Sequence, residues 1–161
     1  MRDIRAEHRN SIELVSPNQQ CYNQRHLVSG ASLMKIPMKV DYGVRALVVL
    51  ATQYGNGSVH SAEIAAQQSI PEAYLDQLLT TLHKYGFVKS RRGPQGGHAL
   101  AKDPSEINLG SVVSSLEGNV PALDCLSAPD ECSLSHSCAQ REVWMDVEQI
   151  MHDRLSSITL A

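Results

Sequence analysis

The sequence is poor in aromatic side chains, with one Phe, one Trp and five Tyr among 161 residues. Apolar residues nevertheless make up 42% of the chain, which is enough to form a core. Aliphatic side chains must supply most of that core, and this composition favours the packing of amphipathic helices.

The sequence also lacks long hydrophobic segments. No apolar run approaches the roughly 20 residues that a membrane-spanning helix requires. Residues 1–33 mix charged and polar side chains without the apolar stretch of a secretory signal, and they are typical of a disordered N-terminal extension. We therefore expect a cytoplasmic protein with no membrane partner, in which thiols stay reduced.

Acidic residues are absent between Lys84 and Lys102, a segment that contains five basic residues. Residues 1–102 carry 12 Lys and Arg against 7 Asp and Glu, whereas residues 103–161 carry 2 against 10. The net charge of -3 therefore conceals a basic first part, which can bind a polyanion.

Three apolar patterns of helical period precede the basic segment. The first spans Val40 to Tyr54, and the second is "AEIAAQQ" with Ser61 as a possible N-cap. The third lies in "SIPEAYLDQLLTTLHKYG", just after Ser69 and with Pro71 in its first turn. The side chains predicted to share the buried face of the first helix are Val40, Val44, Leu47, Val48, Ala51 and Tyr54. The third helix has a buried stripe of leucines, which are Leu75, Leu78, Leu79 and Leu82.

The period then changes from helical to alternating. The segment "FVKSRRGPQGGHALA" predicts two short strands around a turn rich in Gly and Pro. Three helices followed by a β-hairpin are the order of a winged helix-turn-helix. We therefore predict a mostly α fold, with a winged helix-turn-helix DNA-binding domain at residues 34–104 and a small β-hairpin wing.

The third helix is the right size to enter a major groove, and arginines at the hairpin tip suit a narrow minor groove. A solvated turn is the alternative for the two arginines, and partial core packing is the alternative for Tyr74. The glycines of the hairpin do not form the G-x-x-x-x-G-K-[ST] pattern, so a nucleotide site is not favoured. The predicted contacts to double-stranded DNA are Tyr74, Gln77, Lys84, Lys89, Arg91 and Arg92.

Three of the four cysteines occur within fourteen residues, as C-x6-C-x5-C at Cys125, Cys132 and Cys138. Thiolates on a loop can surround one soft metal centre. Zinc sites usually have closer pairs of cysteines, while an iron–sulfur cluster needs a fourth ligand besides these three. That ligand would be His136, Asp41, an exogenous molecule or a residue of a second chain. The alternatives are redox thiols without a metal and chemically inert cysteines.

The segment "CAQREVWMDVEQIMHDRLSSI" predicts an amphipathic helix of roughly five turns. Its apolar stripe is too large for a small domain to cover alone, so it predicts a symmetric homodimer. Residues 105–161 are thus predicted to form the cysteine loop and a long C-terminal dimerisation helix. The predicted dimerisation residues are Val143, Trp144, Val147, Ile150, Met151 and Leu155.

Taken together, these segments resemble the Rrf2 family of bacterial transcription regulators, which includes iron–sulfur cluster-binding members. The resemblance covers about Met34 to Leu160 and is carried by "DYGVRAL", by "IPEAYLDQLLTTLHKYGFVKSRRGPQGGHALAKDP", by the three-cysteine loop and by the terminal "ITL". The stretch "RGPQGG" is its most specific part. The resemblance implies a homodimer in which the long helix pairs the protomers and each cluster lies near the DNA-binding domain of the partner.

The resemblance also implies a set of cluster ligands. Cys125, Cys132 and Cys138 match the three cysteine ligands of the family. Some members have a histidine ligand three positions after the last cysteine, where this chain has Arg141. Others have an acidic ligand early in the first helix, and Asp41 occupies that place, although a carboxylate favoured by the helix dipole is its alternative interpretation. A [2Fe-2S] cluster is preferred over a [4Fe-4S] cluster.

We therefore expect a dimeric DNA-binding repressor whose operator affinity depends on an iron–sulfur cluster that senses iron, oxygen, redox state or nitric oxide. The first alternative is a metal-free thiol or small-ligand sensor on the same DNA-binding scaffold. The second is a thiol oxidoreductase, which is disfavoured because the sequence has no C-x-x-C pair and no evident pair of nucleophile and base.

Overall fold

The computed structural model describes residues 35–93, 96–118, 121–135 and 137–161. The predicted extension at 1–33, Cys21 and His136 lie outside the described residues. Residues 35–161 form one compact unit. The boundary predicted between residues 104 and 105 stays a prediction.

The described chain is mostly helical, with one two-stranded antiparallel sheet, and this confirms the predicted fold class. None of its described helices has the length and apolar content that crossing a bilayer would require. Two 3-10 turns, Pro104–Glu106 and Pro129–Glu131, join the later elements. The elements in chain order are α1 (Met38–Thr52), α2 (Ser61–Gln68), α3 (Glu72–Lys84), β1 (Val88–Arg91), β2 (Gly97–Leu100), α4 (Leu109–Glu117), α5 (Asp124–Ser127) and α6 (Ala139–Ser156).

Helix α1 is the centre of the core because it packs against both α3 and α4. Leu47 of α1, Leu79 of α3 and Val112 of α4 are fully buried. Gly43 permits this approach, since a Cβ at that position would lie 2.5 Å from Leu116 Cδ1 on α4. The leucine stripe predicted for α3 is confirmed, because all four leucines are buried.

Two details of the helix predictions are wrong. Val48 and Tyr54 are 47% and 45% exposed, whereas Ala46 and Leu50 are buried. The rest of the predicted face is confirmed, because Val40 and Leu47 are buried and Val44 and Ala51 pack against the core. The buried surface is wider than predicted, since residues 46–51 are all apolar and α1 contacts both α3 and α4. Ser61 is the first residue of α2 and does not cap it; the cap position is His60, whose side chain makes no capping hydrogen bond.

The hairpin is held against the α1–α2 loop. Strand β1 pairs with β2 from Val88 opposite Leu100 to Arg91 opposite Gly97. Val59 extends the sheet by one bridge to His98, with reciprocal backbone hydrogen bonds of 2.8 Å. Gly97 makes this approach possible, because its φ is +126° and a Cβ there would lie 2.6 Å from the Val59 carbonyl oxygen.

The C-terminal end of α6 is fixed to α4 and to the residues just before it. The amide of Leu109 donates to the Ile158 carbonyl at 2.9 Å, and the amide of Leu160 donates to the Ile107 carbonyl at 3.1 Å. Gly110 allows close packing, since a Cβ there would meet Ser156 Oγ at 2.5 Å. The terminal "ITL" thus connects the end of α6 to α4 and to the residues that precede α4.

Helix α6 has 18 residues, and none of them is buried. Trp144, Val147 and Leu155 are half-buried against the rest of the chain. Val143 and Ile150 are 59% and 67% exposed, and Met151 is also exposed. Only part of the predicted apolar stripe is therefore covered within one protomer.

We expect Gly97→Ala to lower the free energy of unfolding more than Gly57→Ala does. Gly57 has a similar φ of +117° but has open space around its Cα, so both substitutions strain the backbone and only Gly97→Ala also overpacks a contact. Overpacking typically costs about 1–3 kcal/mol. Chemical denaturation of the two variants measures the difference. Equal destabilisation would show that the hairpin does not require this close contact.

Candidate functional site

Helix α3 presents a polar surface on the side opposite its leucine stripe. Gln77 and Lys84 are exposed on this side, and their contacts to DNA stay a prediction. Tyr74 is half-buried, so part of its side chain packs on the core and the rest is exposed beside the polar surface of α3. Its ring meets Tyr42 of α1 edge-to-face, with centroids 6.0 Å apart at an interplanar angle of 76°.

The basic residues of the hairpin are all available to a polyanion. Lys89, Arg91 and Arg92 are exposed, and within the described part of the chain no carboxylate forms an ion pair with them. Their charges are therefore unneutralised on a narrow projection. This arrangement suits contacts to phosphate groups.

Two histidine contacts stabilise the hairpin near the end of α3. His83 Nδ1 donates to the Val88 carbonyl at 2.9 Å, and Ser90 Oγ lies 3.0 Å from His98 Nδ1. Burial lowers the pKa of His98, and nearby His83 and His60 lower it further, while the Asp76 carboxylate raises it. His98 thus favours its neutral form, in which it can hydrogen-bond to Ser90.

Asp41 lies in the first turn of α1 and forms an ion pair with Arg45 of the same helix. Arg45 Nε donates to Asp41 Oδ1 at 3.1 Å, and Arg45 Nη2 donates to Oδ2 at 2.8 Å. The Arg45 guanidinium also lies 5.7 Å from the centroid of the Tyr42 ring. A continuous set of contacts therefore runs from Asp41 through Arg45 and Tyr42 to Tyr74 of α3.

The three clustered cysteines are free and half-buried. Cys125 lies in α5, Cys132 follows the second 3-10 turn, and Cys138 immediately precedes α6. Cys125 and Cys132 line one cavity of about 370 Å³ together with Asp124 and Glu131. Cys138 is not among the residues that line this cavity.

The structure does not bring the predicted metal ligands together within one protomer. Across residues 35–93, 96–118, 121–135 and 137–161, no three His, Cys, Asp or Glu side chains are grouped closely enough to hold a metal ion. Asp41 is engaged by Arg45 instead.

Two buried polar atoms in the cysteine segment lack a hydrogen-bond partner among the described residues. They are the Ser135 hydroxyl oxygen and Arg141 Nε. Ser135 lies between Cys132 and Cys138, and Arg141 lies in the first turn of α6. Such groups are costly unless something binds them, so they mark a place where a further group fits.

Sequence reasoning missed Arg45 and Ser135. The spacing of four residues between Asp41 and Arg45 on a helix is the signal that predicts their ion pair. No sequence signal distinguishes Ser135 from the other serines of the loop. The anchoring of the loop to α6, through the Ala122 amide and the Glu148 carboxylate, was not predictable either.

Comparison with known proteins gives a consistent family assignment. Residues 36–161 match the model of the Rrf2 family, described as an iron-dependent transcriptional regulator. The chain is 36% identical over 128 residues to the HTH-type transcriptional regulator IscR of Serratia proteamaculans. This alignment covers 80% of this chain and 77% of that protein.

Two solved structures extend the comparison. The IscR of T. potens is 37% identical with a TM-score of 0.67, and the alignment covers 81% of this chain and 86% of that one. CymR, the global cysteine regulator of B. subtilis, is 32% identical with a TM-score of 0.65, covering 80% of this chain and 94% of that one. The family match at residues 36–161 spans both the helices and the hairpin described above, and the relatives are named as regulators and not as enzymes.

Proposed function

This chain belongs to the Rrf2 family of transcriptional regulators, and we propose that it is a homodimeric repressor whose affinity for operator DNA depends on an iron–sulfur cluster. The observation that carries the proposal is the combination of an unneutralised basic hairpin with three free cysteines on one loop. A cytoplasmic location and the absence of a membrane partner belong to the same proposal.

Operator DNA would be read by α3 and the hairpin together. Gln77 can bond bidentately to an adenine in the major groove, and Lys84 suits a phosphate. Arg92 at the hairpin tip suits a narrow minor groove. Tyr74 would contact DNA only through the part of its ring that the core leaves exposed.

The residues of the cysteine segment fit an iron–sulfur cluster by their chemistry. Cys125, Cys132 and Cys138 supply three thiolates, which are the preferred ligands of such clusters. The Ser135 hydroxyl and Arg141 Nε have no hydrogen-bond partner among the described residues, and both would be able to donate hydrogen bonds to the sulfur atoms of a bound cluster. We propose a [2Fe-2S] cluster in preference to a [4Fe-4S] cluster. When bound, the cluster supplies a reversible one-electron couple and a centre that oxygen or nitric oxide can attack.

The fourth ligand would be Asp41 from the second protomer of the dimer. Within one protomer Asp41 forms a bidentate pair with Arg45 and is not grouped with the cysteines. A carboxylate oxygen is a harder and more exchangeable ligand than a thiolate, which suits a sensor.

The proposed change in DNA affinity follows from a competition, because the Asp41 carboxylate would bind either Arg45 or the cluster but not both. If its carboxylate turns to a ligand position, Arg45 loses its anionic partner and the guanidinium is free to reorient. Because Arg45 lies against Tyr42, and Tyr42 packs on Tyr74, this change reaches the exposed surface of α3. Coupling of about 1–3 kcal/mol would change operator affinity about 5- to 150-fold.

The homodimer would form through α6. Val143 and Ile150 are more than half exposed, and they lie on one face with Met151. Large apolar side chains grouped on one helix face mark an interaction surface, and a symmetric pair of α6 helices would bury them. The edge of this interface would be formed by the three side chains that are half-buried against their own protomer, which are Trp144, Val147 and Leu155.

A metal-free thiol sensor is the second candidate function. It is favoured by the similarity to CymR and by the three cysteines, all of which are free in the structure. In that case the thiols themselves would be oxidised or would bind a small ligand. The two functions differ in whether iron accompanies the protein.

We expect anaerobically purified protein to contain iron and sulfide and to absorb visible light. Substituting any of Cys125, Cys132 or Cys138 by Ala removes a thiolate and should abolish the absorption. Asp41→Ala should weaken iron retention, whereas Arg45→Ala, which breaks the same ion pair from the other side, should not. Iron and sulfide analysis with absorption spectra tests all five variants.

Colourless and iron-free wild-type protein would reject the cluster and favour the metal-free sensor. Equal iron retention by Asp41→Ala and Arg45→Ala would show that Asp41 is not a ligand and serves only the helix and its ion pair.

We expect Ile150→Glu to dissociate the dimer, because it places a charge in the centre of the exposed apolar face of α6. The matched control is Gln149→Glu, which adds the same charge to an adjacent exposed position. Sedimentation velocity over a range of protein concentrations measures the dimer dissociation constant. A monomeric wild type, or equal dissociation constants for the two variants, would contradict the α6 interface.

A further inference from the structure

The two faces of the hairpin carry different side chains. Val88 and Leu100 are buried against the core, and Ser90 and His98 alternate onto the same face of the sheet. Lys89 and Arg91 therefore point to the opposite face, where their cross-strand neighbours are Ala99 and Gly97. Both cations thus lie on the face turned away from the core.

The α1–α2 loop forms a wall beside this outer face. Together they enclose a groove of about 550 Å³. The loop contributes Tyr54, Gly55, Gly57 and Ser58, and the hairpin contributes Lys89, Ser90, Arg91, Ala99 and Leu100. The bridge between Val59 and His98 fixes the distance between the two walls.

The groove is electrostatically suited to an anion. Its lining includes two cations and no acidic residue, and within the described residues neither cation has an ion-pair partner. Tyr54 and Ser58 add hydroxyl groups on the loop side. A guanidinium, an ammonium and two hydroxyls match the oxygens of a phosphate group.

We propose that this groove binds phosphate esters, and that in the working protein they are backbone phosphates of the duplex outside the stretch that α3 reads. The inference rests on the proposed DNA-binding function and deepens it, because it adds the α1–α2 loop to the interface. Duplex phosphates are favoured over a free nucleotide because the groove is open and shares its hairpin with Arg92 at the tip. Tyr54 and Ser58 thereby become contact residues that lie in neither α3 nor the hairpin.

The test uses the full-length protein and two probes, a mixed-sequence DNA duplex and adenosine monophosphate. We expect the duplex to shift the backbone amide resonances of Gly55 and Gly57. Lys89→Gln combined with Arg91→Gln should lower the slope of log affinity against log salt by about 2, since each phosphate contact contributes about 0.9. The matched control is Arg154→Gln on α6, which removes one charge outside the groove and should leave the slope unchanged.

Tyr54→Phe and Ser58→Ala isolate the loop wall. Each removes one hydroxyl from an exposed position, so neither should alter the thermal unfolding temperature. We expect both variants to weaken duplex binding several-fold without changing which bases are preferred.

Amide shifts caused only by adenosine monophosphate, with an unchanged salt slope, would support the phosphate-ester site and assign it to a free nucleotide. The inference is overturned if the wild type binds the duplex but neither probe shifts Gly55 or Gly57 and the double variant keeps the full slope. The proposed function fails separately if the wild type binds no duplex at all. In that case the amide shifts of Gly55 and Gly57 with adenosine monophosphate alone decide whether the groove binds a phosphate ester.

Discussion

The packing of α1 against both α3 and α4 is the constraint on which the rest of the structure depends. Gly43 allows α4 to approach α1, and Leu47 is buried in the core that these helices share with α3. Because α4 is in turn fixed to the end of α6 around Gly110, the helix that would pair protomers and the helix that would read DNA are joined through α1. On the proposed function, a change at either end of α1 would act through packed side chains and not through a linker.

The same helix carries the residue that links the two proposed activities. Asp41 is held by Arg45, Arg45 lies against Tyr42, and Tyr42 packs on Tyr74. A half-buried ion pair between residues four apart on one helix contributes little to stability, typically less than about 1 kcal/mol. It can therefore be exchanged for another interaction without unfolding the domain. This is the property that a switch between two ligand states requires.

The sequence predicted the elements better than the contacts between them. The leucine period of α3 and the Gly-rich turn of the hairpin are local signals, and the structure has both elements at the predicted places. The buried face of α1 was predicted only in part, because residues 46–51 are uniformly apolar and their pattern does not show that Val48 is exposed. The Asp41–Arg45 pair was available from the four-residue spacing, while the groove beside Lys89 depends on a loop thirty residues earlier in the chain. The placement of the cysteines illustrates the same limit, since their spacing in the sequence does not fix the distances between them, and the described residues contain no group of three metal-ligating side chains.

The central claim is that the state of a cluster on the cysteine loop sets the affinity for operator DNA. The probe is a promoter fragment that is first isolated by its binding to this protein. The most direct measurement titrates this fragment with anaerobic cluster-loaded protein and with the same preparation after cluster removal. The account predicts dissociation constants that differ by about 5- to 150-fold. Equal dissociation constants for two folded, dimeric preparations that differ only in iron and sulfide content would contradict it.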